Sequence, residues 1–334
     1  MDMTVREWFE ARSFHHQDFR ALATSGWPRS GLSTTLIFPS RNVADTIGPI
    51  LQAVTRLRDR TGLIDQVMLV DADSVDGTAA IARAHGAEVY SENELMPEYG
   101  PALGKGDAMW RSLSVARGDI VMFADADTRD FHEHFIYGTL GPILTLPGTQ
   151  FTKAAYRRPF TQQQQSVVDG GGRVTELMAK PLLNLFHPEL AGFVQPLAGE
   201  FAARRDVLAN VPFFTGYGVE IGMLIDVYEQ VGLAGMAQVD LGSRQNRHQP
   251  LHSLTRMSSV VLRTVAARAG LARALGGDDI GGAEPGLWEL RQPDTYLHAV
   301  GTADGLRLDE HLNELIERPP LARLNDDTAL TTTA

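Results

Sequence analysis

The stretch Gly118-Asp119-Ile120-Val121-Met122-Phe123-Ala124-Asp125-Ala126-Asp127 decides how the rest of the chain is read. Ile120 to Ala124 is a short apolar run of the kind that forms a fully buried strand, and it ends on two acids separated by one residue. If the extended conformation continues, side chains alternate, and Asp125 and Asp127 project to the same side. Two carboxylates so placed repel unless a cation sits between them, and oxygen ligands of this kind suit Mg²⁺ or Mn²⁺. Mg²⁺ is commonly held by one or two carboxylates plus substrate phosphates, which points to a nucleoside diphosphate. A strand ending in a solvated acidic turn would show the same D-x-D, so the neighbouring strand ends have to decide.

An α/β rhythm surrounds this stretch. Thr34 to Phe38 is a β-branched apolar run closed by Pro39-Ser40-Arg41-Asn42, and Ile47, Ile50, Leu51, Val54 and Leu57 follow at helical spacing. Gln66 to Val70 reads as a second buried strand, ending in Asp71-Ala72-Asp73-Ser74-Val75-Asp76-Gly77. A helix with Ala79, Ala80, Ile81 and Ala84 comes next, then a strand over 87–90 and a helix over 105–116. Strands alternating with helices predict βαβ units, a mostly parallel sheet and right-handed crossovers. In such a sheet ligands bind beyond the carboxyl ends of the strands. Residues 39–42, 71–76 and 125–127 all fall there, and three polar strand ends converging on one crevice are hard to explain as unrelated surface turns.

Composition narrows the class. The chain has 334 residues, 43% hydrophobic and 21% charged, which is ordinary for a globular protein with ample core. A net charge of −11 argues against nucleic acid or an anionic membrane surface as the main partner. Without cysteine there are no disulfides, thiolate nucleophiles or cysteine zinc sites. Residues 1–12 are largely polar and no apolar stretch reaches the roughly 18 residues a membrane helix needs, so a cytoplasmic, soluble protein is expected.

Residues 1–30 carry Trp8, Phe9, Phe14 and Phe19 without clear periodicity and read as an arm packed on the body. Beyond about residue 150 the pattern changes. There is a basic patch (Lys153, Arg157, Arg158), then Gly170-Gly171-Gly172-Arg173-Val174-Thr175, with helices expected over 176–186 and 219–231. The glycine run followed by a helix offers backbone N–H groups for an anion, and Arg173 could add a bidentate grip; a flexible linker with a surface arginine is the plainer alternative. Lys105 between Gly104 and Gly106 has a weaker version of the same geometry. Gly199-Glu200 and Gly216-Tyr217-Gly218-Val219-Glu220 place carboxylates beside glycines, although Glu220 could simply favour a helix dipole. Arg244-Gln245-Asn246-Arg247-His248 offers an imidazole that could complete the coordination begun by Asp127. Residues 276–306 read as irregular and the Thr-rich tail 324–334 as disordered.

The D-x-D strand end, K-G-D-A-M-W-R-S-L, Y-R-R-P-F, G-G-G-R-V-T-E-L, Q-P-L-A-G-E-F and G-Y-G-V-E-I-G together resemble the actinobacterial glucosyl-3-phosphoglycerate synthases, over residues 33–265 in consistent order. The resemblance implies a GT-A fold and a retaining glycosyltransferase, with mannosyl-3-phosphoglycerate synthase as a close relative. It implies a soluble homodimer, dependent on Mg²⁺ (or Mn²⁺), that acts on a nucleotide sugar and 3-phosphoglycerate. In these terms residues 1–30 are an N-terminal arm, 31–150 the nucleotide-sugar-binding α/β part, 151–275 the acceptor-binding and catalytic part, and 276–334 a C-terminal extension.

Residue by residue, the resemblance places Pro39, Ser40 and Arg41 along the base and ribose, with Ser74 and Lys105 near the nucleotide and its phosphates. Asp125 and Ala126 belong to the nucleotide motif, and Asp127, with Asp125 and His248, to the metal. Gly172, Arg173, Val174 and Thr175 match the phosphoglycerate cradle, Leu197 and Tyr217 line the sugar pocket, and Glu220 matches a sugar-contacting acid. Glu220, Lys105 and Leu197 form the catalytic set. Two positions depart from the family pattern. Val43 stands where a ribose-binding Glu is usual, which leaves UDP and GDP open, and Asn246-Arg247-His248 replaces H-R-N, which leaves the third metal ligand between Asn246 and His248, with His248 preferred.

The expected reaction moves glucose or mannose from a nucleoside diphosphate to the 2-hydroxyl of 3-phosphoglycerate. An inverting polyprenol-phosphate sugar transferase would need a membrane-facing segment that the acidic chain lacks. A nucleotidylyltransferase would want a Gly-rich loop where Pro39-Ser40-Arg41-Asn42 stands, and a silent nucleotide-sugar-binding regulator would have no use for Lys105, Asp125, Asp127 and Arg173 together.

Overall fold

Ile120–Phe123 is a strand buried along its whole length. It pairs in parallel with Thr34–Ser40, which pairs in parallel with Gln66–Asp71, and that strand with Glu88–Ser91. On its other side it pairs antiparallel with Phe201–Arg204, which is antiparallel also to Phe151–Arg157. Phe151–Arg157 continues in parallel to Met236–Ser243 and finally Ser13–His15, making one eight-stranded sheet. The computed structural model describes residues 3–24, 31–162, 165–167, 171–244, 251–270, 295–302, 305–312 and 315–324.

Alternate strand residues feed two cores. Ile37, Met68, Val70, Val121 and Phe123 enter one; Leu36, Phe38, Leu69, Ile120 and Met122 enter the other. Both faces are covered, which is why these strands read as continuous apolar runs rather than alternating ones. The helix Ala44–Thr61 lays Ile47, Ile50, Leu51, Val54 and Leu57 on the second core. Its end is fixed by Gly62, whose φ of 64° admits the left-handed cap and whose N–H reaches Arg58 O at 2.7 Å. Each fully buried Leu or Ile here contributes roughly 1.5–3 kcal/mol against leaving it exposed.

Several expectations change. The arm is structured: Thr4 and Glu7 form a capping box at the start of Val5–Arg12, and Ser13–His15 supplies the edge strand. The strand before the acids ends at Phe123, and Ala126-Asp127 lie in a turn instead of continuing extended. The helix from Lys105 stops at Ser112. Lys153 is not part of a surface patch, for only 1% of it is exposed. Within the stretch expected to be irregular, Thr295–Thr302 pairs antiparallel with Gly305–Leu312 in a hairpin. Its strand alternation is diluted by Gly and Asp, which hid it. Residues 271–294 and the tail 325–334 lie outside the described residues.

The segment 315–324 returns to clamp the helix that carries Lys105. Arg318 reaches both carboxylate oxygens of Asp107 at 2.8 Å, and Trp110 Nε1 donates to Pro319 O at 2.8 Å. No helix among the described residues is long and apolar enough to cross a membrane.

Candidate active site

The candidate residues gather past the carboxyl ends of Thr34–Ser40, Gln66–Asp71 and Ile120–Phe123, around a buried charge network. Arg244, fully buried just past Met236–Ser243, turns its guanidinium under the two acids. Its Nη2 donates to Asp125 Oδ2 at 2.9 Å and to Asp127 Oδ1 at 3.2 Å. Its Nη1 donates to Tyr156 Oη and to Glu200 Oε2, each at 2.8 Å, and its Nε to Thr128 Oγ1 at 3.0 Å. Tyr156 Oη in turn donates to Glu200 Oε2 at 2.9 Å. Burial pushes the Glu200 carboxyl up, and Arg244 opposes the shift. Burial also disfavours the charged form of Asp125, yet Lys105 and Arg244 hold its carboxyl far below the usual carboxylate range.

Lys105, at the first turn of its helix, bridges two acids: Nζ lies 2.7 Å from Asp125 Oδ1 and 2.9 Å from Glu220 Oε1. Burial works against its ammonium, but Asp125 and Glu220 keep its pKa above the ordinary lysine value. The turn Gln195–Gly199 closes over this pair. A Cβ on Gly199 would come within 2.4 Å of Asp125 Oδ1 and 2.6 Å of Lys105 Nζ, so only glycine allows the approach. Leu197 on that turn is partly buried against the first core, and Tyr217 is 57% exposed on the loop leading to Glu220.

The rim nearest the first strand end is tied together largely by uncharged hydrogen bonds. Ser40 is buried and its Oγ donates to Phe38 O at 3.0 Å, while Pro39 is part-buried and Arg41 exposed. Asn42 takes a left-handed φ of 52° and staples two strand ends together. Its N–H donates to Ser74 Oγ at 2.8 Å, and its Oδ1 accepts from Val75 N at 3.1 Å. Ser74 thus orders the rim through a bond that sequence spacing did not reveal. Val43 packs on the second core, and Ala126 O accepts a hydrogen bond from Thr46 Oγ1 at 2.6 Å.

The glycine segment joins the same network from below. Gly171 N donates to Arg158 O at 2.9 Å, and Arg158 Nη2 donates to Tyr156 Oη at 3.0 Å. Gly172 has a φ of 69°, Val174 and Thr175 are buried, and Arg173 is part-exposed at the start of a helical stretch running through the π-turn Thr175–Ala179 into Lys180–Phe186. Gly170, Asn246 and His248 lie outside the described residues.

Sequence reading brought Asp125, Asp127, Lys105 and Glu220 into consideration, and the structure gathers them. It gave Arg244 and Tyr156 no role of their own, and it grouped Lys153 and Arg158 in a basic patch. Local pattern does not reveal these roles, since they come from strand pairing across a long sequence separation. Both oxygens of Asp125 are engaged by cations, Oδ1 by Lys105 and Oδ2 by Arg244, whereas Asp127 gives Oδ1 to Arg244 and its side chain remains 51% exposed, so Asp127 is the acid left open to a hard divalent cation. Among the described residues no group of three or more His, Cys, Asp or Glu side chains is arranged to hold a metal, so the remaining ligands would come from elsewhere, such as phosphate oxygens.

Known proteins resemble this chain in sequence and in fold. The profile of glycosyl transferase family 2 matches residues 35–148. The glucosyl-3-phosphoglycerate synthase of Petrotoga mobilis is 42% identical over 260 residues, 77% of this chain and 80% of that one. A solved mannosyl-3-phosphoglycerate synthase from Rubrobacter xylanophilus is 54% identical with a TM-score of 0.85, covering 97% of this chain and 99% of its own. The glucosyl-3-phosphoglycerate synthase of Mycobacterium tuberculosis, solved with Mn²⁺, UDP-glucose and phosphoglyceric acid, is 33% identical with a TM-score of 0.75 over 94% of this chain and 98% of its own. The chain is a glycosyltransferase and belongs to the glucosyl-3-phosphoglycerate synthase family.

Proposed function

We propose that this protein transfers glucose from a nucleoside diphosphate to the 2-hydroxyl of 3-phosphoglycerate with retention of configuration, as a cytoplasmic, Mg²⁺- or Mn²⁺-dependent homodimer. The observation that carries the site assignment is the Lys105 ammonium bridging Asp125 and Glu220 beside an open Asp127. Asp127 and Asp125 would hold the metal with His248, and the metal, when bound, supplies positive charge to the departing diphosphate. Lys105 adds a fixed cation at the same place, and charge stabilisation of this kind is usually the largest catalytic term. Pro39, Ser40, Arg41 and Ser74 line the nucleotide side, Leu197 and Tyr217 the sugar, and Gly172, Arg173, Val174 and Thr175 the acceptor phosphate. Glu220 is already engaged by Lys105 at 2.9 Å, which disfavours it as a nucleophile and supports front-face attack. Mannose is the second reading, favoured by the 54% identity with a mannosyl-3-phosphoglycerate synthase.

The test is nucleotide release from UDP-glucose, GDP-glucose and GDP-mannose, each with and without 3-phosphoglycerate and metal, with the product anomer read by NMR. We expect release that depends on both acceptor and metal, with an α-linked product from an α-linked donor. Release that ignores 3-phosphoglycerate for every donor would overturn the reading.

A further inference from the structure

Lys153 is a fully buried cation that the reaction described above does not use. It sits in the strand Phe151–Arg157, opposite Phe201 on one side and Gln238 on the other. Its Nζ donates to Ala198 O at 2.9 Å and lies 5.4 Å from the Phe201 ring centroid. The backbone ladder between these strands continues one step beyond Phe201, where Ala154 N reaches Glu200 O at 3.0 Å, and then the chain turns away. Lys153 carries the pairing further with a side chain, skipping Gly199 to grip Ala198. The gripped turn carries Leu197 on one side of Ala198 and Gly199 on the other, and Gly199 is the residue pressed against Asp125 and Lys105.

A neutral amide or hydroxyl could bond one carbonyl at a smaller desolvation cost than a buried ammonium. The charge therefore needs a reason, and its surroundings give one. Glu220, Glu200 and Asp125 face it, with Lys105 as the opposing cation. We propose that Lys153 is a positioning residue of the transfer site, whose ammonium fixes the Ala198 carbonyl and so sets the Leu197–Gly199 turn against the Lys105–Asp125 pair. A displacement of this turn by an ångström would misplace the groups around the reacting sugar and cost on the order of a hundredfold in rate with little change in substrate binding. Burial also pulls the Lys153 pKa down to about 8, within reach of an assay.

This inference rests on the proposed transfer reaction, and the test separates the two. Lys153→Met keeps the length and apolar stem and removes the charge and the bond. In the full-length protein we expect kcat to fall by about 30- to 100-fold, with KM for both substrates and the affinity for UDP, measured calorimetrically, changed less than about threefold. The parent should show an alkaline limb in kcat near pH 8, and Lys153→Arg, which stays charged, should lose that limb. If Lys153→Met does not fold, Lys153→Gln, which keeps a donor and removes the charge, decides, and a folded Lys153→Gln that keeps kcat within about fivefold overturns the proposal. It is overturned equally if a folded Lys153→Met keeps kcat within about fivefold or loses UDP affinity instead. A parent protein inactive with every donor would refute the transfer reading and not the role of Lys153 alone.

Discussion

Two polar clusters hang on the same strand, Met236–Ser243, and they solve burial in opposite ways. At its end Arg244 is surrounded by acids, and each charge faces its opposite. Three residues earlier, Leu241 O accepts from His134 Nε2 at 3.0 Å, and His134 belongs to a column of imidazoles. His15 stacks near His16 at 4.3 Å, His16 on His134 at 4.2 Å, and His132 lies 5.7 Å from His134. Like groups packed this way can be buried only if they stay neutral. The first cluster should thus be sensitive to losing a partner and the second to gaining a proton.

Removing Arg244 is the severest way to break the comparison. Arg244→Met leaves Glu200, 1% exposed, with Tyr156 as its remaining side-chain partner. Stripping one partner from a buried ion pair typically costs about 3–5 kcal/mol. We expect a loss of that size in urea unfolding, partly recovered in Arg244→Met/Glu200→Gln, where no uncompensated carboxylate remains. A loss below about 1 kcal/mol would mean that the network is more hydrated than its geometry implies.

The same contrast explains what was legible. Thr34–Ser40, Gln66–Asp71 and Ile120–Phe123 announced themselves because both faces are buried and each carries an unbroken apolar run at its centre. Their ends gave away Asp125, Asp127 and the crevice. Phe201–Arg204 is short and half alanine, and Met236–Ser243 carries Gln238, buried at 2% exposure by bonds to Val194 N and Gly192 O, so neither shows a clean period. Arg244 and Lys153 were invisible for the same reason. A charged residue in sequence reads as surface, and only the pairing of distant strands tells that its partner is waiting inside.

The histidine column supplies the next test. Burial, with His16 beside it, lowers the His134 pKa from 6.5 to about 4, so the folded state binds this proton more weakly than the unfolded chain. The resulting stability is fully present above about pH 6.5 and is lost as pH falls toward about 4. Because the ring is part-exposed, the loss should be on the order of 1–2 kcal/mol. His134→Phe should flatten this acid limb in denaturant titrations between pH 7 and 4. It should not abolish it, because burial lowers His16 and His187 as well. An acid limb unchanged in the variant would place the sensitive groups elsewhere.

Ser74 sharpens the contrast from the other side, since its bond to Asn42 is exposed and uncharged. Ser74→Ala should cost about 0.5–1.5 kcal/mol of stability, well below the Arg244 effect. We expect a fivefold or smaller rise in KM for the nucleotide sugar and no change in KM for 3-phosphoglycerate. A rise in both would tie the rim to the acceptor segment through a path that the hydrogen bonds do not contain.

The smallest expected effect concerns Val43, at the rim where the family resemblance leads one to expect a ribose-binding acid. Its side chain packs on the second core, and its N–H donates to Thr78 Oγ1 at 2.9 Å, so the residue serves the start of a helix. Ribose is common to UDP and GDP, and its missing partner weakens both donors alike. On the proposed reading discrimination is left to Arg41 and the backbone near Ser40, and UDP- and GDP-sugars should be used within about a hundredfold of each other, roughly 2.7 kcal/mol. Val43→Glu must turn a carboxylate outward from an apolar seat, which offsets part of what a ribose hydrogen bond contributes. The net gain should be about two- to fivefold in KM for either donor, with their ratio unchanged. A gain confined to one donor would show that position 43 senses the base, and a parent preference of many thousandfold would reveal a base contact at this rim that neither Arg41 nor Ser40 supplies.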